Sequence, residues 1–175
     1  MTRWLPGAAS TNLTIRAARP SDAAALARVY VDSWRETYSG ILADSYLHNL
    51  SYAHEETLWR HRIVTDHCTF LGVCRGQIVG LASGGRCRWS NALRGELHLL
   101  YVLRGYQRMG IGRALFDAVH FSLATQGYGQ LSVWVLEANN NAREFYERVG
   151  GQLLRSTVSQ VGAQRLRQIA YEWPE

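Results

Sequence analysis

The chain has 175 residues, 47% of them hydrophobic and 19% charged, which is the composition of a soluble globular protein and the length of one domain. At that length roughly 70% of the unfolded surface can be buried. No stretch reads as membrane-spanning, and Met1 to Gly7 lacks the apolar core of a secretory signal. The net charge is +5, carried by arginine alone, because the chain contains no lysine. Cys68, Cys74 and Cys87 fit neither a disulfide framework nor a zinc spacing, so buried thiols in a reducing cytoplasm are expected.

Residues 1–11, rich in small residues and turn formers, read as a flexible leader, with one domain over 12–175. Leu13 to Arg16 is a strand candidate. Pro20 and Asp22 suit a helix start, and Leu26, Val29, Tyr30, Ser33 and Thr37 mark one face of a helix ending near Ser39-Gly40. A second helical region is expected from about Asp44 to Thr65. Thr69–Val73 and Gln77–Ala82 read as a hairpin turning at Arg75-Gly76, with Gly84-Gly85 expected to bend or end the second strand. Glu96 to Leu103 is a further strand. A helix runs from Gly110 to Gln126-Gly127, with Ile111, Ala114, Leu115, Ala118 and Val119 on one face. Leu131–Val135 reads as a buried strand, 140–149 as a short helix, and 152–159 and 164–172 as two closing strands around Gly162. The order β-α-α-β-β-β-α-β-α-β-β makes a mixed α/β sandwich, without repeat or linker.

The candidate site lies between the fourth strand and the third helical region: Leu103-Arg104-Gly105-Tyr106-Gln107-Arg108-Met109-Gly110-Ile111-Gly112-Arg113. A loop that ends in a helix N-terminus presents unpaired, partly positive N–H groups, suited to an anion such as phosphate. Glycines at 110 and 112 let a ligand approach the backbone. The P-loop pattern fails for want of lysine, and the dinucleotide fingerprint fails because Leu115 stands where its third glycine belongs. Arg86 to Arg113 holds six arginines against one acid, Glu96, so the positive field is local to this loop and the strand before it. Nucleic-acid binding is the rival explanation, but no nucleic-acid motif accompanies the charge.

Gln107-Arg108-Met109-Gly110-Ile111-Gly112 resembles the Gln/Arg-x-x-Gly-x-Gly/Ala signature of the GCN5-related N-acetyltransferase (GNAT) family. Asn139 to Gly150 resembles that family's Asn-x-x-Ala-x-x-Phe-Tyr-x-x-x-Gly segment, departing only at Gly151, where an aromatic usually follows. Trp34 to Leu42 resembles a run found in small-molecule-type members. The resemblance covers about residues 13–173. It implies the GNAT fold, a mixed and mostly antiparallel central sheet flanked by helices.

The resemblance also implies acetyl transfer from acetyl-coenzyme A to an amine, with no metal. Gln107, Arg108, Met109, Gly110, Ile111, Gly112 and Arg113 would hold the diphosphate, with Asn139 and Arg143 near the cofactor arm. Backbone N–H groups near Tyr101, Val102 and Leu103 would bind the acetyl and pantetheine between splayed strands. Tyr146 matches the acid that protonates the departing thiolate. Glu96 and His98, two apart on a strand, share a face, and either can take the amine proton. The plain alternatives are a Glu96–arginine ion pair, a hydrogen-bonded His98 and a Tyr146 that only packs. Trp34 and Tyr38, with Tyr46 and Trp59 and the acids Asp32, Glu36, Asp44, Glu55 and Glu56, would suit a cationic acceptor, or form an ordinary amphipathic face. His54 and His61 lack a third metal ligand. The implied partners are acetyl-coenzyme A and an amine, with neither nucleic acid nor membrane, and the chain is compatible with a homodimer. A non-catalytic coenzyme A-binding module is the alternative. Lacking lysine, the protein cannot acetylate its own lysine side chains.

Overall fold

The computed structural model describes residues 12–66, 68–90 and 93–173, so the leader expected at 1–11 lies outside the described residues. Seven strands, β1 (Leu13–Ala17), β2 (Thr69–Cys74), β3 (Gln77–Arg86), β4 (Arg94–Val102), β5 (Gln130–Leu136), β6 (Gln152–Val161) and β7 (Gln164–Trp173), form one sheet. Their order is β1-β2-β3-β4-β5-β7-β6. All neighbours run antiparallel except β4 and β5. The helices are α1 (Ala23–Tyr38), α2 (Asp44–His48), α3 (Tyr52–Asp66), α4 (Ile111–Thr125) and α5 (Asn140–Arg148).

Strand alternation divides the core between the two faces. Leu81 of β3 packs with Leu26, Ala27 and Trp59 of α1 and α3, while Ala82 packs with Leu115 and Val119 of α4. Val133, Tyr171 and Tyr146 join the α4 side. Gly84 does not end β3. A Cβ there would stand 2.6 Å from Val119 Cγ1, so the glycine lets α4 lie close on a strand that continues to Arg86.

The expected second helical region is two helices, broken at Asn49-Leu50-Ser51. Arg35 stabilises the break, donating to the carbonyls of Leu47 (3.3 Å), which also accepts from Leu50 N–H, and Leu50 (2.9 Å). No helix among the described residues is long and apolar enough to cross a membrane. Cys68, Cys74 and Cys87 are free and buried.

Entry into α1 is fixed by Asp22. Its carboxylate takes two guanidinium bonds from Arg16 (2.7 and 2.8 Å) and the Arg19 N–H (2.8 Å). The bond from Arg16, chiefly, holds the Asp22 carboxyl below the ordinary aspartate range. Asp22→Asn is expected to cost about 1–2 kcal/mol at neutral pH. A depressed carboxylate stabilises above its unfolded value of about 4. The gap between variant and wild type therefore closes as pH falls through the lower folded value. Urea unfolding at several pH values checks this.

Candidate active site

Pairing between β4 and β5 runs only from Arg94↔Gln130 to Leu97↔Val133, although β4 continues to Val102 and β5 to Leu136. The two central strands therefore part, and the loop after β4 leads to the N-terminus of α4. In that loop Arg108 (φ 61°) and Gly110 (φ 82°) are left-handed. Such a conformation is costly for a non-glycine residue and marks a backbone shaped for use. The first backbone bond of α4 runs from Ala114 N–H to Gly110 C=O, leaving the N–H groups of Ile111, Gly112 and Arg113 without helical acceptors. No side chain caps them.

Gln107, Met109 and Arg113 frame the loop differently. Gln107 turns its amide back onto the Val102 carbonyl (2.9 Å), bracing the turn from within. Met109 is exposed, and Arg113 pairs with Asp117 (2.8 Å). Arg104 and Arg108 have no carboxylate within ion-pair distance among the described residues. The site is thus rich in donors and positive charge, which fits a diphosphate. The Arg143 guanidinium has acceptors of its own, the Tyr171 hydroxyl and the Glu137 carbonyl.

Register decides which backbone groups face the gap. Leu103 donates its N–H to Val79 of β3 (2.9 Å). With Val102 opposite Gly80 and Tyr101 opposite Leu81, antiparallel alternation turns the N–H groups of Tyr101 and Leu103 toward β3. Those of Leu100 and Val102 face the gap. Of the three residues named for this role, Val102 has its N–H on the gap side, and so does Leu100. Counting back by two from the end of the strand would have found Leu100.

Tyr38 and Tyr101 meet beside the parted end of β4. The hydroxyls of Tyr38 and Tyr101 are 3.4 Å apart. Tyr146, 5% exposed, packs between Phe145, Tyr171 and Trp173. Burial pushes the Tyr146 and Tyr101 hydroxyls well above the ordinary tyrosine range, and Tyr38 raises both further. All three are therefore neutral and can donate. Asn139 caps α5, its Oδ1 accepting from Ala142 N–H (3.2 Å).

Glu96 is 1% exposed, and both carboxylate oxygens are engaged by Arg88: Oε2 takes the backbone N–H (2.9 Å), Oε1 the guanidinium (2.5 and 3.1 Å). His98 is half-buried and is the extra residue of a β-bulge, since Ser83 faces Leu99 while Gly84 faces Leu97. A Cβ on Gly85, the partner of Glu96, would stand 2.9 Å from His98 Cε1, so the two side chains share the Gly85 face.

Trp34 sits 4.8 Å from Tyr38 and 6.1 Å from Tyr46, packed with Leu42, Leu47 and Leu136. Trp59 lies apart from this group, in the core beneath Tyr30. The acids expected beside these rings are mostly engaged elsewhere. Asp32 accepts from Tyr52, Glu36 from Arg104 N–H, and Glu56 pairs with Arg60. Glu55 is buried, and desolvation raises its carboxyl above the ordinary range. Among the described residues no group of three His, Cys, Asp or Glu is placed to hold a metal.

Among the described residues the sheet parts at its one parallel pair, and an uncapped helix N-terminus follows the loop that leaves it; the class comes from sequence comparison. The chain belongs to the GNAT family: the profile of the Acetyltransferase (GNAT) family matches residues 22–151. It is 32% identical over 165 residues, 93% of this chain and 94% of the relative, to the uncharacterized N-acetyltransferase YuaI of Bacillus subtilis (strain 168). It is 29% identical to the probable N-acetyltransferase Rv2775 of Mycobacterium tuberculosis, over 79% of each chain. Among solved structures it resembles the PaiA N-acetyltransferase from Thermoplasma acidophilum in complex with coenzyme A (TM-score 0.76, 20% identity, 94% of this chain and 99% of that one). It also resembles yncA, a putative acetyltransferase from Salmonella typhimurium with its cofactor acetyl-CoA (TM-score 0.72, 17% identity, 93% of each chain). At these identities the two structures bear on the fold alone.

Proposed function

We propose that the protein transfers the acetyl group of acetyl-CoA to a primary amine, of a small molecule or a protein α-amine, directly within a ternary complex. The observation that supports this reading is the parting of β4 and β5 beyond Leu97↔Val133, beside the open N–H groups at the start of α4. Acetyl-CoA supplies an acetyl group activated as a thioester. The N–H groups of Ile111, Gly112 and Arg113, with Arg104 and Arg108, hold its diphosphate. The N–H groups of Leu100 and Val102 hold the arm and receive the thioester oxygen. Tyr146 gives its hydroxyl proton to the departing sulfur.

The amine proton passes to His98, directly or through water. Glu96 fixes the strand by clamping Arg88. Thiol release with an amine panel, beside calorimetry with acetyl-CoA, tests the whole reading; binding without turnover on any amine would mark a coenzyme A-binding module instead. The proton assignment has its own test. His98→Gln is expected to lower kcat/KM by about a hundredfold. Glu96→Gln is expected to lower the melting temperature more than the rate per folded molecule, since a buried carboxamide has one oxygen and cannot accept from both the backbone N–H and the guanidinium of Arg88 as the carboxylate does. The reverse pattern would assign the proton to Glu96.

A further inference from the structure

Val133 and Tyr171 point into the core beneath α4 and α5, so their neighbours in β5 and β7 point to the opposite face. Register sets side chains in rows there. Glu96, Ser132 and Glu172 form one row. Trp134, Ala170 and Arg155 form the next toward the gap, with His98 near its β4 end. Both acids of the first row are matched by arginines, Glu96 by Arg88 and Glu172 by Arg94.

Arg155 has no such match: among the described residues no carboxylate is within ion-pair distance of it. Its guanidinium carbon lies 5.5 Å from the Trp89 ring centroid and 5.9 Å from that of Trp134. The two indoles meet edge to face at 5.9 Å. A long side chain on an edge strand loses rotamer freedom when pinned, and two ring contacts offset that loss here. Arg155 is exposed, and beneath it Trp89 Nε1 is buried without a partner among the described residues. Indole and guanidinium N–H groups only donate. A buried donor left without an acceptor is rare in a finished site. A group that served both the indole N–H and the guanidinium would be an acceptor, and a carboxylate or phosphate meets both while an ammonium does not.

We propose that the acetyl acceptor carries an anionic oxygen group, a carboxylate or a phosphate, and that Arg155, held between Trp89 and Trp134, binds it. This rests on the acetyl-transfer reading above. Trp134 stands across the gap from β4, one strand over. The anion therefore lies on the order of 5–10 Å from the amine, one to two strand spacings, the reach of a short ω-amino acid or an aminoalkyl phosphate.

Thiol-release rates test this with 4-aminobutyrate against 4-aminobutyramide, and phosphoethanolamine against ethanolamine, in wild type, Arg155→Met and Arg155→Lys. In wild type the anionic member of at least one pair is expected to lead its uncharged-tail partner at least tenfold in kcat/KM. That ratio should collapse in Arg155→Met through KM and recover in part in Arg155→Lys. The pair with the larger ratio names the anion. A wild-type ratio near one in both pairs, or a ratio that Arg155→Met leaves unchanged, overturns the proposal. If no amine turns over, the acetyl-transfer reading fails, and calorimetry of the coenzyme A-saturated protein with 4-acetamidobutyrate and with N-acetylphosphoethanolamine, each against its uncharged analogue, judges the anion site separately. Tighter binding of an anion that Arg155→Met abolishes supports the site; equal binding in both pairs sinks it.

Discussion

Gly112→Asp is expected to raise the thermal stability of the protein while weakening its binding of acetyl-CoA about a hundredfold. The two effects have opposite signs because they act on different partners of the same N–H groups. Gly112 is the second residue of α4, and a Cβ there meets Phe145 at 3.5 Å, an ordinary contact. Replacing a helical glycine gains about 0.5–1 kcal/mol, and a carboxylate in the first turn complements the helix dipole by a further 0.3–1 kcal/mol or so. The same carboxylate would stand where the proposed diphosphate sits. Like charges about 5 Å apart at an effective dielectric near 20 repel by roughly 3 kcal/mol, and each 1.4 kcal/mol or so is tenfold in affinity. Melting curves and calorimetric titration with acetyl-CoA measure both effects. Gly112→Asn, similar in size and uncharged, should show a smaller loss of affinity. The loss in Gly112→Asp should shrink at high salt, where exposed charges are screened. Unchanged affinity in Gly112→Asp would mean that the diphosphate is not held at α4.

The turn that leads into α4 was legible in the sequence because its signals are local. A change of hydrophobic period brackets it, and glycines punctuate it. The same holds for α5, where Asn139, Ala142, Phe145 and Tyr146 stand at fixed offsets and the structure packs Phe145 and Tyr146 together at 5.3 Å. What stayed hidden depends on register between distant strands. Leu100 rather than Leu103 faces the gap because Leu103 is committed to Val79, 24 residues earlier. His98 owes its orientation to a bulge that shows only in the pairing of β3 with β4. The break between α2 and α3 carries no proline or glycine, and Arg35 of α1 supports it from another element. Trp89, Trp134 and Arg155 come from a loop and two strands that are not neighbours in the sheet, so no spacing in the chain announces them.

Tyr146→Phe is expected to lower kcat by two orders of magnitude or so while leaving the acetyl-CoA dissociation constant within about threefold of wild type. The hydroxyl is the only group removed. The ring contacts to Phe145, Tyr171 and Trp173 remain, so the fold should hold. No hydrogen-bond partner of the Tyr146 hydroxyl is found among the described residues, so its loss strands no buried group. Melting temperature should accordingly stay close to wild type, and that separates the acid role from a packing role. Burial keeps the hydroxyl protonated far above neutral pH, so wild-type activity should show no alkaline limb from Tyr146 between pH 7 and 9. A thiolate leaving without a proton is the costly step in the variant, and that cost falls as the thiol pKa of the leaving group falls. An acetyl thioester of a more acidic thiol should therefore recover part of the lost rate in Tyr146→Phe and gain less in wild type. Full turnover in the variant, or equal gains in both proteins, would leave the tyrosine as a packing residue and require another proton source at the gap, with the Tyr38 hydroxyl the next to be tested.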